Sequence, residues 1–244
     1  MQKKRTLKVL SEITGGLSKP SKMPGFGWSI SAYRCKTGER LREVPNSTCA
    51  SCYACKGRYA FGVVQQALER RYQAMVDGLV DGTWVAAMVE TIAKRQDKKE
   101  GKYFRWHDSG DLQNISHLRA IVEVARLTPR VRHWLPTREY SIVRGWIDSM
   151  AMSSAGYDEW SRNGGGTGIP SNLCIRLSAH MVDGKAPSIR RWLPTSTVHK
   201  ESPAVGYECP APKQGGVCHG SKNGGVDCDA CWNVDVANIS YGMH

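Results

Sequence analysis

Apolar positions along the chain switch between two periods, and the switches predict strands alternating with helices. Gly27-Trp28-Ser29-Ile30-Ser31-Ala32-Tyr33 has apolar residues at alternate positions, the period of a half-buried strand. From about Gly57 to Leu79 the period lengthens to that of a helix, with Val63, Ala67, Tyr72 and Met75 among its apolar positions. A second helix is predicted over about Thr83 to Lys94, with Thr83 as N-cap. The charged run QDKKEGK then turns the chain. Tyr103 to His107 reads as a strand that runs into Asp108-Ser109-Gly110-Asp111. A helix from about Ser116 to Leu127 stops before Pro129. Val131 to Leu135 is the next strand. It ends at Pro136-Thr137-Arg138-Glu139, ahead of a short helix from about Ser141 to Met150. Asn172 to Ala179 and Thr195 to Lys200 complete the strands. The Gly-rich stretch Asn163 to Ser171 lacks a GK[ST] ending, so it is no P-loop.

This alternation predicts parallel βα units and an α/β fold. The units are expected to form a TIM-like or partial (βα) barrel, with an open doubly wound sheet as the other arrangement. Three regions follow: a basic N-terminal arm over 1–25, a barrel-like domain over 26–205, and a Cys-rich metal-binding tail over 206–244 packed on it. The tail is expected to take its shape from metal rather than from a core. Val131-Arg132-His133-Trp134-Leu135-Pro136-Thr137 is echoed by Ile189-Arg190-Arg191-Trp192-Leu193-Pro194-Thr195, as if two strand ends were equivalent.

Composition adds three points. At 244 residues and 41% apolar content the chain has enough material for one large domain. No stretch is apolar enough to cross a membrane, and MQKKRTLKVLSEITGG lacks a secretory apolar core, so a cytoplasmic location is expected. The net charge of +12 favours anionic partners, either a small anionic molecule or nucleic acid.

Cysteine changes the picture most. There are nine, an odd number, and no export signal, which together argue against a disulfide framework and for metal ligation. Cys49, Cys52 and Cys55 follow one another at CxxCxxC spacing, with Cys35 upstream; a turn between such residues aims their sulfurs to one side. Cys209, Cys218, Cys228 and Cys231 form a second group among glycines, with His219 as a substitute ligand. The spacing and nearby aromatics favour a [4Fe-4S] cluster, with zinc as the alternative. Two separate sites or one shared cluster both fit. Cys174, inside a strand, is expected to be a core thiol.

Chemistry in α/β proteins gathers where strands end. His107, Asp108, Asp111 and Glu139 are therefore the candidate catalytic groups, and Ser109, Arg138 and Arg176 the candidate substrate-binding groups. Capping and packing roles for the same residues are the plainer alternative.

The segments RWHDSGDL, WLPTRE, CASCYACKGRY and CPAP…CDACW…SYGMH resemble the bacteriophage gene product 88-like proteins, from about Trp28 to His244. The resemblance implies a phage protein of the host cytoplasm; the family's cysteine pattern corresponds to Cys35, Cys49, Cys52 and the tail cysteines, and the position of Cys55 is often not cysteine there. A more distant similarity is to radical S-adenosylmethionine enzymes: strand, cysteine loop, helices, strand, then Ser109-Gly110-Asp111. Their order is matched, but their spacing is CxxxCxxC. That similarity implies S-adenosylmethionine as a further cofactor. Three functions are thus expected in turn: an iron–sulfur redox or radical enzyme acting on an anionic or nucleotide-like substrate, a zinc-stabilised nucleic-acid-binding protein, or a purely structural cluster.

Overall fold

Thr6 starts the first ordered element. Its hydroxyl accepts from the Val9 amide and caps helix α1 (Leu7–Thr14), and Gly15, at φ 74°, ends it. The N-terminal arm thus contains a helix, which buries Leu10 and Thr14. The computed structural model describes residues 5–96, 99–152, 168–219 and 225–243. Strand β1 is short, Phe26–Trp28, because Ser31 caps a 3₁₀ turn over Ala32–Arg34 and ends the extended run. Helix α2 (Lys36–Arg42), not foreseen, precedes the cysteine loop. Helices α3 (Gly62–Leu79) and α4 (Thr83–Gln96) follow. The expected cap of α4 is corrected: Asp81 supplies the oxygen that accepts from both the Thr83 amide (3.0 Å) and its hydroxyl (2.7 Å). Then come β2 (Tyr103–Trp106), α5 (Ile115–Leu127), β3 (Arg132–Thr137), α6 (Tyr140–Met152), β4 (Leu173–Val182), β5 (Thr195–His199), β6 (Tyr207–Glu208) and β7 (Asn238–Gly242). Most of the Gly-rich stretch, 163–167, lies outside the described residues.

All seven strands pair in parallel, in the order β1-β2-β3-β4-β5-β7-β6. The fold is α/β with an open sheet: among the described strands β1 pairs only with β2 and β6 only with β7, and Ser18 adds an isolated antiparallel bridge to Gly27. A closed TIM-like barrel is therefore corrected. The doubly wound alternative fails too: β1 to β5 stand in chain order, with no reversal between them. The strand alternation explains the two faces. Phe104, Trp106, Leu135, Leu173, Ile175 and Leu177 join Met75, Trp84, Met88, Ile121, Val124 and Val143 in the main core, beneath the helices. Tyr103 and Trp134 point the other way, to a smaller core with Ala230, Cys231, Trp232 and Ile239.

That second face ties the C-terminal segment into the sheet. The 206–244 segment supplies β6 and β7 to the sheet and lays Trp232 under it, its indole N–H donating to the Phe104 carbonyl at 3.0 Å. The echoed segment is also corrected: only its first copy is a strand, whereas 189–194 forms bends and a turn leading into β5. His133 is a polar group that this core accommodates in paired form. His133 stacks on Trp106, accepts from its indole N–H at 3.3 Å and meets the Thr128 hydroxyl at 2.8 Å.

Candidate functional site

The C-terminal ends of β1, β2 and β3 meet the cysteine loop. Gly110 allows the junction: at φ 78° it sits against Ile30, and a Cβ there would lie 2.7 Å from the Ile30 carbonyl oxygen. The Ile30 amide donates to the Ser109 carbonyl at 3.3 Å, and the His107 amide to the Trp28 carbonyl at 2.9 Å, so the ladder continues past the strand ends.

The loop's spacing follows from its backbone. Cys52 N donates to Cys49 O at 3.1 Å and Cys55 N to Cys52 O at 3.2 Å. Successive i to i+3 bonds give about three residues per turn, which brings every third side chain to one side. Cys35 reaches the same place from the N-cap of α2. Gly38 keeps the space between them clear. A Cβ on it would come within 3.5 Å of the Cys35 sulfur and 3.6 Å of the Cys49 sulfur. Burial pushes the Cys35 thiol up, with Asp111, Cys49 and Cys52 adding to the effect and Arg42 opposing it. Burial likewise raises Cys49, against Arg138. Burial and then Cys52 raise Cys55, with Arg42 again opposing. Four thiols and two guanidinium groups thus share one neighbourhood.

Asp111 is the buried carboxylate beside them. It accepts from the Thr137 hydroxyl (2.6 Å), the Arg138 amide (2.8 Å) and the Leu112 amide (2.7 Å). Burial nonetheless wins over these bonds and lifts its carboxyl to about 6, with Glu139 adding to the rise. Glu139 accepts from the Thr37 amide (2.7 Å) and hydroxyl (2.8 Å), so it caps α2. Arg138 turns its Nε to the Thr48 hydroxyl (2.9 Å) and the Ala179 carbonyl (3.3 Å). Asp108 accepts from the Ser29 hydroxyl and from the Tyr59 hydroxyl (2.6 Å), and its carbonyl accepts from the Tyr53 hydroxyl. His107, at φ 56°, is packed between Trp28 and His117. Burial holds it well below the usual histidine range, helped by His117 and Arg105. Ser109 is buried; neither its hydroxyl nor the His107 ring nitrogens have a hydrogen-bond partner among the described residues.

Arg176 lies elsewhere. Fully buried on the opposite face of β4, it donates to the carbonyls of Thr195 and Val236 (both 2.9 Å), Asn233 (2.9 Å) and Ala230 (3.3 Å). It holds the tail against the sheet rather than meeting the strand-end groups. Cys174 is buried beside it, 3.6 Å from its Nη2.

The tail cysteines form a second neighbourhood. Cys209 and Cys228 pack against the small core that contains Cys231. The Cys228 amide donates to the Cys218 carbonyl at 2.8 Å, and the Cys209 amide to the Ser240 carbonyl at 2.9 Å. Cys228 Sγ contacts the Tyr207 hydroxyl (3.4 Å) and Cys231 Sγ the Tyr241 hydroxyl (3.2 Å). Burial lifts Cys218 to about 11, with Cys209 and Cys228 adding to it and Arg105 opposing. Burial lifts Cys231 to about 12, opposed first by Tyr241. None of the nine cysteines is in a disulfide. Among the described residues, no group of three or more His, Cys, Asp or Glu side chains is arranged to hold a metal ion. Tyr53, Tyr59, Arg42 and Arg105 were not foreseen as site residues. Arg105 carried a signal, a charge alternating with Phe104 and Trp106 in a strand, and it stacks on Trp134 at 4.5 Å.

Fold and site together define an open, singly wound parallel α/β protein with two separate four-cysteine neighbourhoods, one at the strand ends and one beneath the sheet. The family model described as Gene product 88 matches residues 2–234, and the chain belongs to that phage family. No curated protein and no solved structure matches the chain, so the likeness to radical S-adenosylmethionine enzymes gains no support.

Proposed function

We propose that the protein is an iron–sulfur protein whose [4Fe-4S] cluster is held by Cys35, Cys49, Cys52 and Cys55 at the ends of β1–β3, in the strand order of a partial barrel. The observation that carries this is the approach of the Cys35 and Cys49 sulfurs across the space Gly38 leaves clear, with Cys52 acting on both, Cys55 beside Cys52, and Arg42 and Arg138 close by. The donor set suits such a cluster. Each thiolate meets its own iron, so four sulfurs line a cage rather than converge on one ion, and nearby cations offset the cluster's negative charge. When bound, the cluster would supply one-electron chemistry. Use of all four thiols leaves no iron for S-adenosylmethionine, which favours electron transfer over radical cleavage of that cofactor.

Asp111 is the protein's own proton-carrying group in this reading. At about 6 its carboxyl exchanges a proton near neutral pH, and the Thr137 hydroxyl and Arg138 amide fix its position. Asp108, held by Tyr59, and the cap Glu139 support the walls. An anionic, nucleotide-like substrate fits the mouth: Tyr33 and Tyr53 are over half exposed there, and Arg42 lies over the Tyr33 ring at 5.8 Å.

Anaerobic purification tests the reading. Brown protein with absorbance near 400 nm, bleached by dithionite and lost in Cys49→Ser, is expected. Colourless, folded protein free of iron would overturn it. Colourless protein carrying zinc at Cys35, Cys49, Cys52 and Cys55, and binding DNA or RNA in a salt-dependent way, would instead establish the zinc-stabilised nucleic-acid-binding function.

A further inference from the structure

We infer that Cys209, Cys218, Cys228 and Cys231 hold a single zinc ion that fixes the polypeptide between β6 and β7, as a site distinct from the strand-end cluster. Three observations carry this. The first is convergence. The four cysteines are spread over 209–231, yet Cys209, Cys228 and Cys231 pack at one small core, Cys218 is tied to Cys228 through the backbone and its thiol feels Cys209 and Cys228, although among the described residues the sulfurs are not yet arranged to hold an ion.

The second is the poverty of other structure there. Between Glu208 and Asn238 the described chain forms two short 3₁₀ turns, Ala211–Gln214 and Ala230–Trp232, and one isolated bridge, His219 to Asp227. It still has to present Trp232 to the sheet and the Ala230, Asn233 and Val236 carbonyls to Arg176. A chain with so little secondary structure and so small a core is the setting in which a metal ion acts as the cross-link.

The third is place. This group lies beneath the sheet, against Trp134 and Trp232, rather than at the strand ends where ligands enter. A redox-inert ion with four protein ligands suits such a position, since a structural zinc site keeps no coordination place open. Arg105 and Arg176 bring positive charge towards the thiols and would offset the two surplus negative charges of zinc with four thiolates. Binding is balanced by the loss of four thiol protons to solvent, and it turns Cys228 and Cys231 away from the hydroxyls of Tyr207 and Tyr241 that they now contact.

Metal analysis of the full chain tests the site independently of the proposed cluster. Wild-type protein is expected to carry one zinc ion per chain. Cys228→Ser/Cys231→Ser should lower that content about tenfold, whereas Cys52→Ser should leave it unchanged and deplete iron alone. Zinc retained in the tail double variant would overturn the inference, as would iron that survives Cys52→Ser and is lost with the tail cysteines. Should the tail variant not accumulate, Cys52→Ser protein grown on cobalt decides. Thiolate-to-cobalt charge-transfer and tetrahedral d–d bands are expected, and their absence overturns the site.

Discussion

Three buried imidazoles show how strongly single residues feel this core. Burial lowers His117 and His133 to about 3, and their rings pack against tryptophans. A histidine depressed in the fold lends stability that is whole above its unfolded value near 6.5 and is lost as pH falls towards the folded value. Between about pH 6.5 and 3, each of these two should subtract about 1.4 kcal/mol of stability per pH unit. His133→Gln should flatten that slope by about one histidine's worth, read from urea midpoints measured against pH; an unchanged slope would refute it. His107 looked catalytic from its position after a strand, and sequence gave no sign that Trp28 and His117 would enclose it. Its placement depends on a positive φ, which a residue string does not declare.

At the scale of elements, the close approach of β1 and β2 rests on Gly110. Gly110→Ala would place a methyl 2.3 Å from Ile30 Cγ1 at φ 78°, and a loss of about 2–4 kcal/mol is expected in chemical unfolding. Arg176 joins β4 to the tail in the same decisive way. Its four carbonyl acceptors come from residues 195 to 236, so Arg176→Met should cost about 3 kcal/mol or more, with a loss of the Trp232 near-ultraviolet circular dichroism. Wild-type stability and an intact spectrum would contradict that role. The apolar periods of α3, α4, α5 and α6 were legible because each helix buries one stripe over many residues. The sequence pattern carries strand β1 too far, to Tyr33, and does not show helix α2 or strands β6 and β7 at all. They hold two to seven residues each, too few for a period to show, and pairing or capping by distant groups defines them.

For the whole molecule, the C-terminal segment is the sheet's edge and its second cover at once. β7 pairs with β5 along Thr195 to His199, and Trp232 shields Trp134. A chain ending at Val205 should therefore lose cooperative thermal unfolding, whatever metal is supplied; a sharp transition in calorimetry would show the segment to be dispensable. Charge also acts at this scale. With a net +12, binding of an anionic nucleotide at the strand-end mouth should weaken with salt, and Tyr33→Ala should reduce affinity about tenfold in fluorescence anisotropy. Binding unaffected by salt or by that change would rule out the mouth as the nucleotide site.

The sequence alone determined the alternation of strands and helices, the parallel α/β class and the two groups of cysteines, because periodicity and spacing are local properties of a chain. Only tertiary structure decided that the sheet stays open, that Arg176 serves the tail rather than the strand ends, and that Asp111 is the carboxylate that acts on the Cys35 and Cys49 thiols. Those outcomes depend on which surfaces far apart in sequence exclude water together, and burial of that kind is set by the assembled fold.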